Sequence, residues 1–164
     1  MRERQAGRQR RRAQEFEAFV AGAAGRLLHA ATLLTAEPAR PPGANERAQR
    51  LLTAALARTY ADWDRLHGED PYNRTRQELA TRFAREAWRH HHARGGLLDR
   101  LTPQERLVLV LRLHEEVAEE QTAALLGLPA ERIRAICNRS VATMRGTRGP
   151  SVRRGPTREL GATP

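Results

Sequence analysis

The feature that most constrains the fold is a glycine between two short helical segments, within residues 121–136. Gly127 stands where the first helix has to end, in a left-handed backbone conformation that glycine adopts at little cost. Ala123 is small, as is needed where a second helix crosses close to the first. The apolar residues that fill the angle between the two helices are Leu126, Leu128, Ile133 and Ile136. This pattern predicts a helix-turn-helix, whose second helix can enter a DNA major groove.

The second helix of this motif carries polar residues on the face turned away from the wedge: Glu131, Arg132, Arg134, Asn138 and Arg139. Arginine can pair with guanine and asparagine with adenine, while further arginines hold phosphates. The formal net charge is +10, all 29 basic residues are arginine, and both facts favour a polyanionic partner. A high-G+C codon bias explains the arginines equally well, and the same spacing occurs in ordinary helical hairpins. We nevertheless expect DNA binding, because motif and charge agree.

The N-terminal half has apolar residues at three- and four-residue steps, which predicts amphipathic helices. The first helix runs from about Phe16 and stops before Pro38, and the second covers about residues 45–66. Asp70 and Pro71 have the form of an N-cap followed by proline at the first helical position, which opens a third helix to about His92. Three such helices can share one small core.

We expect an all-α chain of two small lobes joined by a short linker. Gly95 and Gly96 predict a hinge, and Thr102 begins the second lobe with a capping box that Glu105 completes. The expected divisions are a disordered basic arm at 1–13, a helical domain at 14–92, a linker at 93–101, a helix-turn-helix domain at 102–145 and a disordered tail at 146–164.

Several function classes are disfavoured by the composition. A chain of 164 residues suits two small lobes rather than a large enzyme, and Cys137 as the single cysteine permits no disulfide and no cysteine-based zinc site. The consecutive His90, His91 and His92 point about 100° apart on a helix and cannot converge on one metal. We expect no catalysis, metal or cofactor. Because no apolar run approaches the length of a membrane span, we also expect no membrane insertion and a cytoplasmic location.

Segments of both halves are similar to one known family. Residues 101–112, 123–127 and 139–145 resemble region 4 of extracytoplasmic-function sigma factors of the sigma-70 family, especially the actinobacterial SigE-like group. Residues 16–20, 26–28, 55–63 and 70–72 resemble region 2 of the same group. The resemblance extends over roughly residues 14–145, in the family's order. It implies a region 2-like three-helix bundle, a region 4-like helix-turn-helix, and a transcription initiation factor that binds promoter DNA and RNA polymerase core.

The resemblance also assigns roles to residues. The third helix would face the minus-ten DNA with Arg82, Arg85 and Arg89. The recognition helix would read the minus-35 major groove with Arg132, Arg134, Asn138 and Arg139, beside Glu131. The second helix would contact the polymerase with Arg50, Leu51, Leu52 and Thr53.

Four departures from the family pattern mark a divergent member and leave alternatives open. Thr81 or a neighbour stands where the family has an asparagine near the minus-ten pocket, and Pro129 replaces the usual Ser or Thr cap of the recognition helix. Where the family has an acidic Asp-Leu-Val-Gln motif, this chain has Arg50-Leu-Leu-Thr53, and the region 2 to region 4 linker shrinks to about residues 92–100. One alternative is a stand-alone helix-turn-helix regulator derived from a sigma factor. Another is an adaptor that binds an anti-sigma factor. Copurification with RNA polymerase core distinguishes these hypotheses best.

Overall fold

The computed structural model describes residues 2–92 and 94–146, and within that part every regular element is a helix. This confirms the all-α class; the expected tail lies, from residue 147 on, outside the described residues. The elements are α1 (Arg2–Thr35), α2 (Glu46–Ala61), α3 (Pro71–Arg85), α4 (Pro103–Leu109), α5 (Glu119–Leu126) and α6 (Ala130–Gly146). Short 3₁₀ turns follow α2 at Trp63–Arg65 and α3 at Ala87–His90, and a π-helical turn, Val110–His114, continues α4.

The expectation of a disordered arm at 1–13 is wrong for the described residues, because α1 is helical from Arg2 onward. This stretch lacks proline and contains six arginines, two glutamines and two alanines, which favour helix. Arg12 also anchors it to the next helical segment. Its guanidinium forms an ion pair of 3.0 Å with Asp64 and lies 4.5 Å from the centre of the Tyr60 ring.

Helix α1 also corrects the expectation about apolar stretches. Within the described residues it is the one helix long and apolar enough to span a membrane, with a mean hydropathy of 1.3 over 18 residues. The sequence reading missed this window because small and polar residues interrupt its apolar ones. Leu27 and Leu34 on this helix are buried at 0% and 2% exposure, so this face of α1 packs inside the protein.

The two lobes share one continuous hydrophobic core. In the N-terminal lobe α2 packs against α1 and α3, and Leu52 and Phe83 are buried between them. In the same cluster lie Leu101, Leu107 and Leu111 from the C-terminal half. Helix α4 contacts both α1 and α3, so the lobes lie directly against each other.

The linker is packed against the end of α1 at Gly96. The Gly96 backbone N–H donates to the Ala36 carbonyl oxygen at 3.0 Å. A Cβ on Gly96 would lie 2.4 Å from both the carbonyl carbon and oxygen of Ala36. Glycine is therefore required here for close backbone approach, and Gly96 is a docking point rather than a free hinge.

Arg106 of α4 joins the lobes from inside. It is fully buried, and its Nε donates to the Leu98 carbonyl oxygen at 3.0 Å. Its Nη1 donates to the His90 carbonyl oxygen at 2.9 Å and to that of Leu34 at 3.4 Å. One guanidinium thus holds the end of α1, the 3₁₀ turn after α3 and the linker. Sequence reasoning missed this role, because Arg106 looked like one basic residue among many.

A second polar junction surrounds Glu115, whose side chain is 1% exposed. The Tyr72 hydroxyl of α3 donates to the Glu115 carboxylate at 2.9 Å, and Arg26, Arg76 and His114 lie within 3.5–3.9 Å of it. Burial, and then the hydrogen bond to Glu115, raise the pKa of Tyr72. This network connects α1, α3 and the end of the π-helical turn.

Candidate nucleic-acid interface

The turn between α5 and α6 has the predicted geometry. Gly127 caps α5 in the left-handed region, at φ 64° and ψ 33°. The Leu128 N–H donates back to the Ala123 carbonyl oxygen at 3.0 Å, and the Pro129 carbonyl oxygen accepts from Arg132 N–H at 3.0 Å to start α6. The left-handed conformation predicted for Gly127 is confirmed.

One face of α6 is anchored in the C-terminal lobe. Ile133 and Ile136 are fully buried against Val108 of α4 and Ala123 of α5. Leu126 and Leu128 pack at the edge of this cluster. The wedge predicted between the crossed helices is therefore present, and it fixes how α6 lies on α4 and α5.

The opposite face of α6 is polar and exposed. The structure brings together all five predicted residues of this helix, each of them exposed: Glu131, Arg132, Arg134, Asn138 and Arg139. Side chains three, four or seven residues apart share one face of a helix, which places these groups in two neighbouring rows. We call this surface the recognition face.

Two arginines of the recognition face are held by glutamates of neighbouring helices. Arg134 forms an ion pair of 2.7 Å with Glu119 of α5, and this hydrogen bond raises the pKa of Arg134. Arg139 lies 3.2 Å from Glu105 of α4. The sequence predicted Glu105 only as a capping residue. The partners in these two ion pairs are 15 and 34 residues apart in the chain and lie on different helices, so no local pattern predicts them.

The remaining groups of the recognition face are uncommitted. In the described part of the chain, Arg132 and Asn138 form no side-chain hydrogen bond or ion pair. Exposed ion pairs contribute about 0–1 kcal/mol, so Arg134 and Arg139 can exchange their glutamates for phosphates at small cost. Beside the carboxylate of Glu131, the face therefore offers two free groups and two exchangeable ones.

The basic residues predicted for the third helix do not lie on one element. Arg82 is on α3, with its Nε 2.7 Å from Glu78, and Arg85 is exposed at the end of this helix. Arg89 lies beyond it in the 3₁₀ turn, 4.8 Å from the centre of the Trp88 ring. The third helix therefore ends at Arg85 instead of near His92, because a tighter 3₁₀ turn follows from Glu86.

The predicted polymerase-binding motif is split by burial. Leu51 and Leu52 are 8% and 6% exposed and belong to the shared core, so they offer little surface for docking. Arg50 and Thr53 are exposed on the outer side of α2. The candidate contact on this helix therefore reduces to Arg50 and Thr53.

The fold and the recognition face together define a helix-turn-helix protein. The family model described as sigma-70, region 4 matches residues 97–146. An RNA polymerase sigma-E factor of Streptomyces coelicolor is 33% identical in an alignment of 156 positions that covers 80% of this chain and 84% of the relative. The RNA polymerase sigma-E factor of Streptomyces avermitilis is 31% identical, with 80% and 83% covered. No solved structure matches the chain.

These likenesses extend beyond the helix-turn-helix into the N-terminal lobe. The chain belongs to the extracytoplasmic-function sigma factors of the sigma-70 family, as a divergent member of the SigE-like group.

Proposed function

We propose that this chain is a transcription initiation factor that binds promoter DNA and RNA polymerase core. The observation that carries the proposal is the recognition face of α6, which lies within the match to sigma-70 region 4. The likeness to relatives named RNA polymerase sigma-E factor, over 80% of the chain, supports it. A factor of this kind acts by binding, so the proposal requires no catalytic residue and no cofactor, and it places the protein in the cytoplasm.

In this proposal α6 enters the minus-35 major groove. Arg132 and Asn138 contact bases, because their side chains are free and of the types that pair with guanine and adenine. Arg134 and Arg139 hold phosphates after leaving their glutamates, and Glu131 lines the same face. The N-terminal lobe faces minus-ten DNA with Arg82, Arg85 and Arg89.

The polymerase contact of the proposal is Arg50 with Thr53 on α2. A basic residue where the family has an acidic one meets like charge on the polymerase and weakens the encounter. Members of this sigma-factor group are regulated by anti-sigma factors, and we include such a factor among the partners.

A stand-alone DNA-binding regulator is the second candidate function. Two observations favour it: Arg50 is exposed and basic, and the linker is docked through Gly96 instead of extended. A short docked linker keeps the two DNA-facing surfaces on one compact body, which suits binding to a single DNA site.

Copurification with RNA polymerase core, together with a DNA-binding assay, separates the two candidates. We expect the wild type to retain core and Arg50→Asp to retain it more tightly, by about 1 kcal/mol, since one exposed repulsion is replaced by one exposed ion pair. Arg58→Asp, at another exposed position of α2, is the matched charge control. If neither wild type nor Arg50→Asp retains core while both bind DNA, the regulator is correct and the sigma-factor proposal fails.

A further inference from the structure

A cleft of about 760 Å³ lies between the start of α2 and the 3₁₀ turn that follows α3. Arg47 and Arg50 of α2 line one side. Arg89, Arg94, His90 and Trp88 line the other. We call this the arginine cleft; the mechanism proposed above gives no role to the cleft as a whole.

The charges of the arginine cleft are poorly balanced. Four arginines line it against one carboxylate, Glu86, which lies 3.6 Å from Arg89. The carboxylate nearest to Arg50 is that of Glu46, at 3.9 Å on the exposed side of the same helix. The Arg47 guanidinium donates to the Arg89 carbonyl oxygen at 3.3 Å, which brings the two walls together without adding negative charge.

Two buried nitrogens of cleft residues lack a hydrogen-bond partner. His90 is 5% exposed and its Nδ1 is unpaired, as is the buried Nε of Arg94. Leaving a buried polar group unpaired costs about 1–3 kcal/mol, so such groups indicate a missing partner. A ligand with acceptor oxygens can pair with the Arg94 Nε–H, and with His90 Nδ1 in the tautomer that carries a proton there.

The cleft is also held in place by a carboxylate beneath it. Glu37 is buried, and its two carboxylate oxygens accept from the backbone N–H groups of Arg47, at 3.1 Å, and Ala48, at 2.9 Å. Glu37 thus caps α2 and fixes the backbone from which Arg47 and Arg50 project. Because Glu37 already occupies these N–H groups, an anion in the cleft is bound by side chains.

We propose that the arginine cleft binds a phosphate group. A guanidinium can donate two parallel hydrogen bonds to a phosphate, so several arginines around one cleft favour phosphate binding. Trp88 is 68% exposed at the rim and can stack on an aromatic base attached to that phosphate. The phosphate belongs either to a small phosphorylated molecule or to a nucleic-acid backbone. In either case Arg50, the residue that departs from the acidic family pattern, gains a role in addition to its proposed contact with the polymerase.

The test measures binding of two probes, inorganic pyrophosphate and a single-stranded oligothymidine, to the full chain by calorimetry. We expect the double variant Arg47→Gln with Arg50→Gln to weaken binding of one or both probes at least about tenfold, the loss expected when two charge-assisted contacts disappear. The matched control is Arg4→Gln with Arg8→Gln, which removes the same charge from exposed positions of α1. That end of α1 lies beside the far end of α2, where Arg12 meets Asp64.

The two probes separate the sources of the phosphate. If the cleft variant weakens pyrophosphate binding, the ligand is a small phosphorylated molecule. If it weakens only oligothymidine binding, the phosphate is that of a nucleic-acid backbone. The proposal is overturned if neither probe binds, or if cleft and control variants weaken binding equally.

A measurement on the wild type covers the case in which the double variant does not fold. Addition of the bound probe should shift the NMR signals of the Arg94 Nε–H and the His90 ring. If these signals stay in place while those of α6 arginines move, the cleft is not the site. None of these experiments uses polymerase or promoter DNA, so the proposed function can fail without affecting this result.

Discussion

The lobe junction and the recognition face use the same side chain for opposite purposes. At the junction Arg106 is fully buried and donates to the carbonyl oxygens of Leu34, His90 and Leu98. On α6, Arg132 is exposed and has no ion-pair partner in the described part of the chain, and Arg134 holds Glu119 in an exposed pair. A buried guanidinium with satisfied acceptors is fixed, whereas an exposed one exchanges partners cheaply. Burial, rather than residue type, separates the structural arginines of this chain from those proposed to face DNA.

The largest expected effect is at Arg106. Arg106→Met keeps much of the volume but removes the donor of the Leu34 and His90 carbonyl oxygens, while that of Leu98 keeps only the Leu101 N–H. We expect a loss of about 3–5 kcal/mol in the free energy of unfolding. Arg100→Met, at an exposed linker position, should change stability by less than about 0.5 kcal/mol. Urea denaturation measures both. Equal, small effects would show that Arg106 does not join the lobes.

The next effect is expected at Gly96, where the junction depends on backbone contact. Gly96→Ala places a Cβ 2.4 Å from the Ala36 carbonyl group, so the linker has to move, and we expect destabilisation of about 3 kcal/mol. Gly25→Ala, on α1 with open space around it, should instead stabilise the protein by about 0.5–1 kcal/mol. Thermal unfolding of the two variants compares them directly. A Gly96→Ala protein as stable as the wild type would mean that the linker is not docked.

The junction should also make the protein sensitive to acid through His90. Burial first, then Arg47 and Arg106, lower the pKa of His90 from 6.5 to about 4. The folded state therefore binds the proton less tightly than the unfolded chain. The contribution of neutral His90 to the free energy of unfolding is complete above pH 6.5. As the pH falls from there toward 4, the free energy of unfolding decreases by about 2–3 kcal/mol.

Stability against pH should thus become flatter over that window in His90→Asn. The neighbouring exposed His91→Asn is the control and should keep the wild-type slope. If the stability of His90→Asn falls with pH as steeply as that of the wild type, another group causes the acid sensitivity.

The smallest expected effect is on the recognition face and changes DNA binding rather than stability. Arg132→Ala should weaken binding to a selected DNA site by about 1–3 kcal/mol, the amount of one lost base contact, and leave binding to random DNA nearly unchanged. Arg139→Ala, which removes a guanidinium paired with Glu105, should weaken both kinds of DNA similarly. Anisotropy titrations with both DNAs measure the difference. If Arg132→Ala weakens binding to the selected site and to random DNA equally, Arg132 contacts only a phosphate.

The same contrast explains how much could be predicted from the sequence. The helix-turn-helix was predicted well, because Gly127, the Thr102 capping box and the Ile133–Ile136 spacing act over a few residues. The junction could not be predicted, since Arg106 meets a carbonyl 72 residues away, at Leu34. The five polar residues predicted for α6 do share an exposed face, and their contact with DNA stays a prediction. The glutamates that hold two of these arginines belong to other helices and have no local signature.

Run-off transcription tests directly whether this chain directs initiation by reading promoter DNA through α6. Core RNA polymerase, the full chain and a library of genomic fragments should yield transcripts with defined start sites that core alone does not produce. The double variant Arg132→Ala with Asn138→Ala should lose these transcripts while still binding core. If the wild type binds DNA but no fragment gives a transcript above that of core alone, the proposed function is contradicted.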